Sequence, residues 1–311
     1  MPELSVGAQR WAVAAGNNLL DALNDVGLNV PYSCRAGSCH ACMVRCVAGE
    51  PLDGNPGALA ADQRAQGWRL ACQCRVVDDL QVALFDPRRD GLDAELTACD
   101  WLSPGVLRVR LRPERPLRYQ SGQHLLLYSG TIARPYSIAS LAQQDDFLEF
   151  HLDCRRPGAF IDRARAFQAG DHLRLGELRG GALHYDPDWQ ARPLLLLAAG
   201  TGLAPLWGVL REALRQEHQG AIRVVHFVAE EGEHYLAEPL RALAAQYSQL
   251  HVELPSPALS DSLLNGLRLA SRHTQALVCG SPASVEKFSR RLFLAGLPRN
   301  QLLSDVFTGR A

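Results

Sequence analysis

The chain has 311 residues, 47% of them hydrophobic and 21% charged, an ordinary globular composition with length for two or three domains. Lysine and arginine number 32 against 33 aspartates and glutamates, and the net charge of −1 argues against nucleic acid or an anionic membrane as partner. No apolar run reaches a membrane span and the first residues lack a basic stretch leading into an apolar core, so a cytoplasmic location is expected, where nine cysteines suit metal ligation better than disulfides.

Residues 1–90 read as a first domain. Segments 4–6 and 10–13 form a short hairpin, and 18–26 has apolar residues at helical spacing, stopped by Gly27. Cys34, Cys39 and Cys42 then share one tight loop, and Cys72 arrives from far along the chain after strand 43–47 and segment 67–72. This C-x4-C-x2-C…C order is the plant-type spacing for a [2Fe–2S] cluster. Gly37 frees the loop of a Cβ where backbone wraps sulfide, and the Ser38 hydroxyl is placed to donate to sulfur.

Other uses of these cysteines fit less well. Structural zinc sites usually pair two C-x2-C knuckles, and only one exists here. A Rieske centre needs two histidine ligands, and His40 is expected instead to face solvent. Cys74 is the rival to Cys72, since two residues on in an extended segment it points the same way. Leu70-Ala71-Cys72-Gln73 matches what ferredoxins have at the fourth ligand, which favours Cys72. Cys46, Cys74, Cys99 and Cys154 are expected as buried small hydrophobes. A polar stretch with proline and glycine at 85–91 reads as a linker.

Residues 94–190 look all-β, with strands at 106–112, 123–128, 134–138 and 147–152 and Gly/Pro turns between them, the pattern of a small antiparallel barrel. Residues 192–311 alternate strands (193–198, 222–227, 250–253, 276–279) with helices near 206–217, 235–246 and 283–295. That is an open α/β sheet of dinucleotide-binding type, so the fold class is multidomain, α+β followed by α/β.

Two motifs carry chemistry here. Strand, then Gly200-Thr201-Gly202, then helix is a recipe for holding a diphosphate, because backbone comes close and the helix start offers free N–H groups. A plain tight turn would look the same. Arg134-Pro135-Tyr136-Ser137 supplies a cation, a flat ring and a hydroxyl, the groups a flavin nucleotide needs. In isolation it would pass for an ordinary strand.

Arg134-Pro135-Tyr136-Ser137, Gly200 to Pro205 and Cys279-Gly280-Ser281-Pro282 fall in the order found in the ferredoxin–NAD(P)+ reductase superfamily. With the N-terminal cysteine signature, the whole chain resembles the reductase components of bacterial aromatic-ring dioxygenases and multicomponent monooxygenases. The resemblance implies a β-grasp ferredoxin domain, a flavin-binding barrel and a parallel-sheet nucleotide domain. It implies that Arg134 contacts FAD phosphates, Tyr136 stacks on the isoalloxazine and Ser137 hydrogen-bonds near its N5. Gly200, Thr201 and Gly202 would cradle the nicotinamide nucleotide's diphosphate. Cys279, Gly280 and Pro282 would line the approach of nicotinamide to flavin, with Ser137 and Cys279 nearest the chemistry. Phe307 would cover the other flavin face.

The chain departs from this pattern at Gly158-Ala159-Phe160-Ile161, where the family often has Gly-x-x-Ser at the second FAD phosphate site. Loss of one neutral hydrogen bond amounts to about 0.5–1.5 kcal/mol, and Arg155 and Arg156 would offset it. A turn at 176–180 also lacks the usual Gly-Pro-x-Gly. Glu230, Glu231 and Glu233 follow the strand where the adenosine ribose should lie, and acidic groups there favour NADH over NADPH. The implied sequence is NADH to FAD to [2Fe–2S] to an oxygenase or other acceptor, docked at a rim around Cys39, His40 and Ala41. The alternatives are a reductase for a deoxysugar dehydratase or similar radical enzyme, a subunit fixed in a larger electron-transfer complex, and a redox sensor without turnover.

Overall fold

The computed structural model describes residues 1–32, 34–180 and 182–307. The last four positions of the expected 192–311 region lie outside it. No described helix is long and apolar enough to cross a membrane.

The N-terminal unit is a five-stranded sheet ordered Gln9–Ala12, Glu3–Val6, Leu80–Leu84, Met43–Ala48, Trp68–Leu70. Its core holds Leu4, Val44, Leu70, Val82 and the apolar stripe Leu19, Leu20 and Leu23 of the helix Leu19–Asp25. Each such fully buried leucine contributes about 1.5–3 kcal/mol. Asn18 starts that helix, its Oδ1 accepting from the Leu20 and Asp21 amides. Its Nδ2 donates to the Cys72 carbonyl at 2.9 Å, so the helix cap also anchors the fourth cysteine. The sequence reading missed the strand Leu80–Leu84, which pairs in parallel with Glu3–Val6 at the centre of the sheet.

The stretch expected as a linker is ordered structure. Phe85 packs between Trp68 and Tyr128, and a one-turn helix, Pro87–Asp90, is capped by Asp86. Polar, Pro-containing composition suits a capped turn as well as a tether, so composition misled.

The second unit is a curled antiparallel sheet ordered Ile132–Ser137, Gln123–Ser129, His172–Gly180, Leu92–Ser103, Val106–Pro113, Leu148–Asp153. A bridge between Ile138 and Phe150 brings its two ends together. Segment 176–180 is not a turn. It belongs to the strand His172–Gly180, whose register against Gln123–Ser129 shifts between Leu125 and Leu127.

The third unit is a five-stranded parallel sheet ordered Leu250–Glu253, Ile222–Phe227, Leu194–Ala199, Gln275–Gly280, Leu302–Val306. Both faces are covered, Leu194 and Leu196 on one side and Leu195 and Leu197 on the other, which is why 194–197 reads as an unbroken apolar run. Strand order reverses between Leu194–Ala199 and Gln275–Gly280, and such sheets bind ligands at that crevice. The helices run Leu203–Arg215, Ala237–Gln246 and Pro282–Leu294, with a fourth, Pro257–Asn265, that the sequence reading missed.

Candidate functional site

The cysteine loop brings four thiols together in two pairs. Cys34 and Cys39 share one hydrogen bond and Cys42 and Cys72 another. Within each pair one thiol is pulled down and its partner pushed up. The hydrogen bond from the Cys39 thiol pulls Cys34 down, and that from the Cys42 thiol pulls Cys72 down. Among the described residues no group of three or more metal-ligating side chains converges as a single-ion site. Two thiol pairs are what two irons, each taking two thiolates, require. Backbone amides of Ala36 and Cys39 point at the Cys34 sulfur at 3.3 and 3.4 Å. The Ser38 hydroxyl also bonds Cys34, and Gln73 Nε2 donates to Cys72 at 3.2 Å. Gly37 sits at φ +84°, and an added Cβ would come within 3.2 Å of Asn55. The donor set fits a cluster.

Cys74 is fully buried in the ferredoxin core, where burial raises its thiol, and it is a member of neither thiol pair. Cys154 is buried too, whereas Cys46 and Cys99 are only half-buried.

His40 does not face solvent. It is 4% exposed, with Nδ1 3.5 Å from the Glu177 carboxylate of the flavin domain. Cys39 and Ala41 pack on Leu126, Tyr128 and Ala133 of that same domain. The rim expected to be free for a partner is therefore covered from within the chain. A histidine in a loop says nothing of a neighbouring domain, which is why sequence failed here.

A single cavity of about 1060 Å³ joins the three units. Its walls include Cys34 and Cys39 on the ferredoxin side, Arg134, Tyr136, Ser137, Gly158 and Ile161 from the curled sheet, and Gly200, Thr201, Glu230, Pro282 and Phe307 from the nucleotide domain. Arg134, Arg155 and Arg156 bring positive charge to it. His124 also lines it, and its buried Nε2 has no partner within the protein. An orphaned polar atom in a roomy, arginine-rich cleft fits a polar ring system with a phosphate tail.

Three expected residues, Gly202, Cys279 and Gly280, stand behind the wall. Gly202 is buried, and a Cβ there would meet the Cys279 carbonyl carbon and oxygen at 2.6 and 2.4 Å, so packing alone requires glycine. Cys279 is fully buried, and Gly280 packs on Ala199 while accepting from the Phe307 amide at 2.8 Å. Gly200, at φ +54° with Arg155 close above it, does reach the cavity. Glu230 is exposed at the cavity, Glu231 faces solvent, and Glu233 pairs with Arg155 at 2.8 Å across the domain boundary.

Sequence reasoning missed His124, His151 and Asp305, which all line the cavity. Glu149, His151 and Asp153 gave a signal, as three polar residues on the same side of a strand whose other side is apolar.

Comparison with known proteins agrees with this architecture. A family model described as a 2Fe-2S iron-sulfur cluster binding domain matches residues 7–77, and an oxidoreductase NAD-binding domain matches 196–291. The chain is 30% identical to an aromatic O-demethylase reductase subunit from Amycolatopsis, over 91% of each chain. It is 28% identical to the reductase component of a naphthalene 1,2-dioxygenase system from Pseudomonas putida, over 94% of each. The crystal structure of the Amycolatopsis reductase GcoB aligns over 99% of both chains with a TM-score of 0.66 and 26% identity.

The chain belongs to the ferredoxin–NAD(P)+ reductase family whose members carry a fused [2Fe–2S] ferredoxin domain. It is an oxidoreductase that carries electrons from a nicotinamide coenzyme through FAD to a [2Fe–2S] cluster.

Proposed function

We propose that this chain is the reductase component of a multicomponent oxygenase, oxidising NADH and passing electrons one at a time to an oxygenase partner. The observation that carries this reading is the shared cavity, whose walls hold cluster cysteines, flavin motif and dinucleotide loop together. FAD supplies the conversion from a two-electron hydride donor to one-electron acceptors. The protein's share is to hold the groups in place and keep water out. Arg134 takes FAD phosphate, Tyr136 faces the ring and Ser137 its N5 edge, while Gly200 and Thr201 take the coenzyme diphosphate. Phe307 flanks the flavin. Cys279 and Gly280, behind the wall, shape the nicotinamide's approach beside Pro282 rather than touching it.

Glu230 supports NADH as the coenzyme, since a carboxylate there accepts from a ribose 2′-hydroxyl and repels a 2′-phosphate. With Cys39, His40 and Ala41 covered, electrons would leave across Arg35 and Ala36, which are exposed on the cluster loop. An oxygenase as acceptor rests on the relatives, several of which are reductase components of dioxygenase and monooxygenase systems.

The test is steady-state NADH oxidation, first with an artificial one-electron acceptor and then with candidate oxygenase components. Turnover with the first and coupled product with one of the second supports the reading. Absence of turnover with the artificial acceptor returns the chain to a sensor role.

A further inference from the structure

The cavity wall between the flavin and nucleotide domains is crossed by a buried hydrogen-bond chain that none of the sequence motifs includes. Arg110 Nε donates to Glu149 Oε2 at 2.7 Å, and Glu149 Oε1 lies 3.0 Å from His151 Nε2. A carboxylate there accepts only, so Nε2 carries the proton and Nδ1 is left as the acceptor. Nδ1 meets the Tyr235 hydroxyl of the nucleotide domain at 3.2 Å. The tyrosine O–H therefore donates across the boundary, and the order of donors fixes one orientation for each group.

The chain continues through packing. The Tyr235 ring stands edge-on to His151 at 5.2 Å and to His226 at 5.6 Å. His226 Nε2 donates to the Gly200 carbonyl at 3.0 Å, on the loop that faces the coenzyme diphosphate. Other links between these domains include Arg155 with Glu233 and Arg211 with Asp145. Both are ion pairs with part-exposed arginines, weakened by water and salt. His151 and Tyr235 are 4% and 7% exposed, and His151 itself lines the cavity.

Hydride transfer needs donor and acceptor atoms about 3–3.5 Å apart. The flavin is held by one domain and the nicotinamide by the other, so the offset between domains sets that distance. We propose that His151 and Tyr235 are positioning residues for hydride transfer, a buried inter-domain latch that holds the Gly200 loop in register with the flavin. The inference rests on the NADH–FAD reading above.

Stopped-flow reduction of the flavin by NADH under anaerobic conditions tests it. Tyr235→Phe removes one oxygen and keeps the ring, and His151→Leu removes the acceptor. His151→Gln keeps an amide donor for Glu149 and a carbonyl acceptor for Tyr235. Tyr235→Phe is expected to lower the limiting reduction rate on the order of tenfold, with NADH affinity nearly unchanged. His151→Leu should match it, the double variant should be no worse than either alone, and His151→Gln should recover most of the rate. In the flavin-free protein, amide hydrogen exchange at 200–202 should quicken in Tyr235→Phe.

Wild-type rates in Tyr235→Phe overturn the proposal, as do additive losses in the double variant or a His151→Gln as slow as His151→Leu. A loss confined to NADH affinity or thermal stability overturns it too. Failure of NADH to reduce the wild-type flavin is a different result, and sinks the underlying reading instead.

Discussion

The rings of Phe85 and Tyr128 stack at 5.4 Å with 20° between their planes. Phe85 closes the ferredoxin fold after its central strand, and Tyr128 belongs to the curled sheet, within the patch that receives Cys39 and Ala41. The contact fixes the cluster loop on the flavin domain. Such aromatic pairs add about 0.5–1.5 kcal/mol beyond their area.

Phe85→Ala should therefore loosen the ferredoxin while leaving the flavin in place. The expected result is slower cluster reduction after rapid mixing with NADH, with flavin reduction itself unchanged. Equal rates for both steps in variant and wild type would separate this stacking from electron transfer.

The two neighbouring cysteines should behave differently. Cys72→Ser is expected to abolish or strongly blue-shift the iron–sulfur absorbance. Cys74→Ser buries a hydroxyl among apolar groups at a cost of roughly 1–3 kcal/mol and lowers Tm, yet it keeps the cluster spectrum. Visible absorbance and a thermal melt on both variants decide the assignment.

Coenzyme choice should respond to Glu230. Glu230→Arg reverses the charge at the exposed edge of the cavity, and the ratio of kcat/KM for NADPH over NADH should rise by about tenfold or more, in line with about 1.4 kcal/mol or more of charge interaction. An unchanged ratio would mean that the ribose lies elsewhere.

Glu149 makes stability depend on acid. Burial alone would raise its carboxyl, but hydrogen bonds from His151 and Arg110 outweigh burial and hold it at about 2. The folded value lies below the unfolded one, so its contribution, roughly 3 kcal/mol, is fully present above about pH 4.5 and lost as pH falls toward about 2. Glu149→Gln should be less stable at neutral pH and flatter in stability between those values, as urea titrations across pH would reveal.

Local patterns carried much of the sequence reading. The cysteine loop at 34–42, the apolar run at 194–197 and the strand-to-helix turn that opens at Gly200 each encode a feature that neighbours in sequence build for themselves. What escaped was set by distant contacts. Leu80–Leu84 is a strand because Glu3–Val6 and Met43–Ala48 flank it. His40 is buried because another domain covers it, and Gly202 is glycine because Cys279 sits against it. His151 escaped because its partner, Tyr235, lies far along the chain.

The central claim, that one cavity couples coenzyme, flavin and cluster, is tested most directly by the visible spectrum of the purified protein, recorded anaerobically before and after NADH. Flavin and iron–sulfur bands should bleach together. A cluster spectrum without flavin, or bands that NADH leaves unmoved, would contradict it.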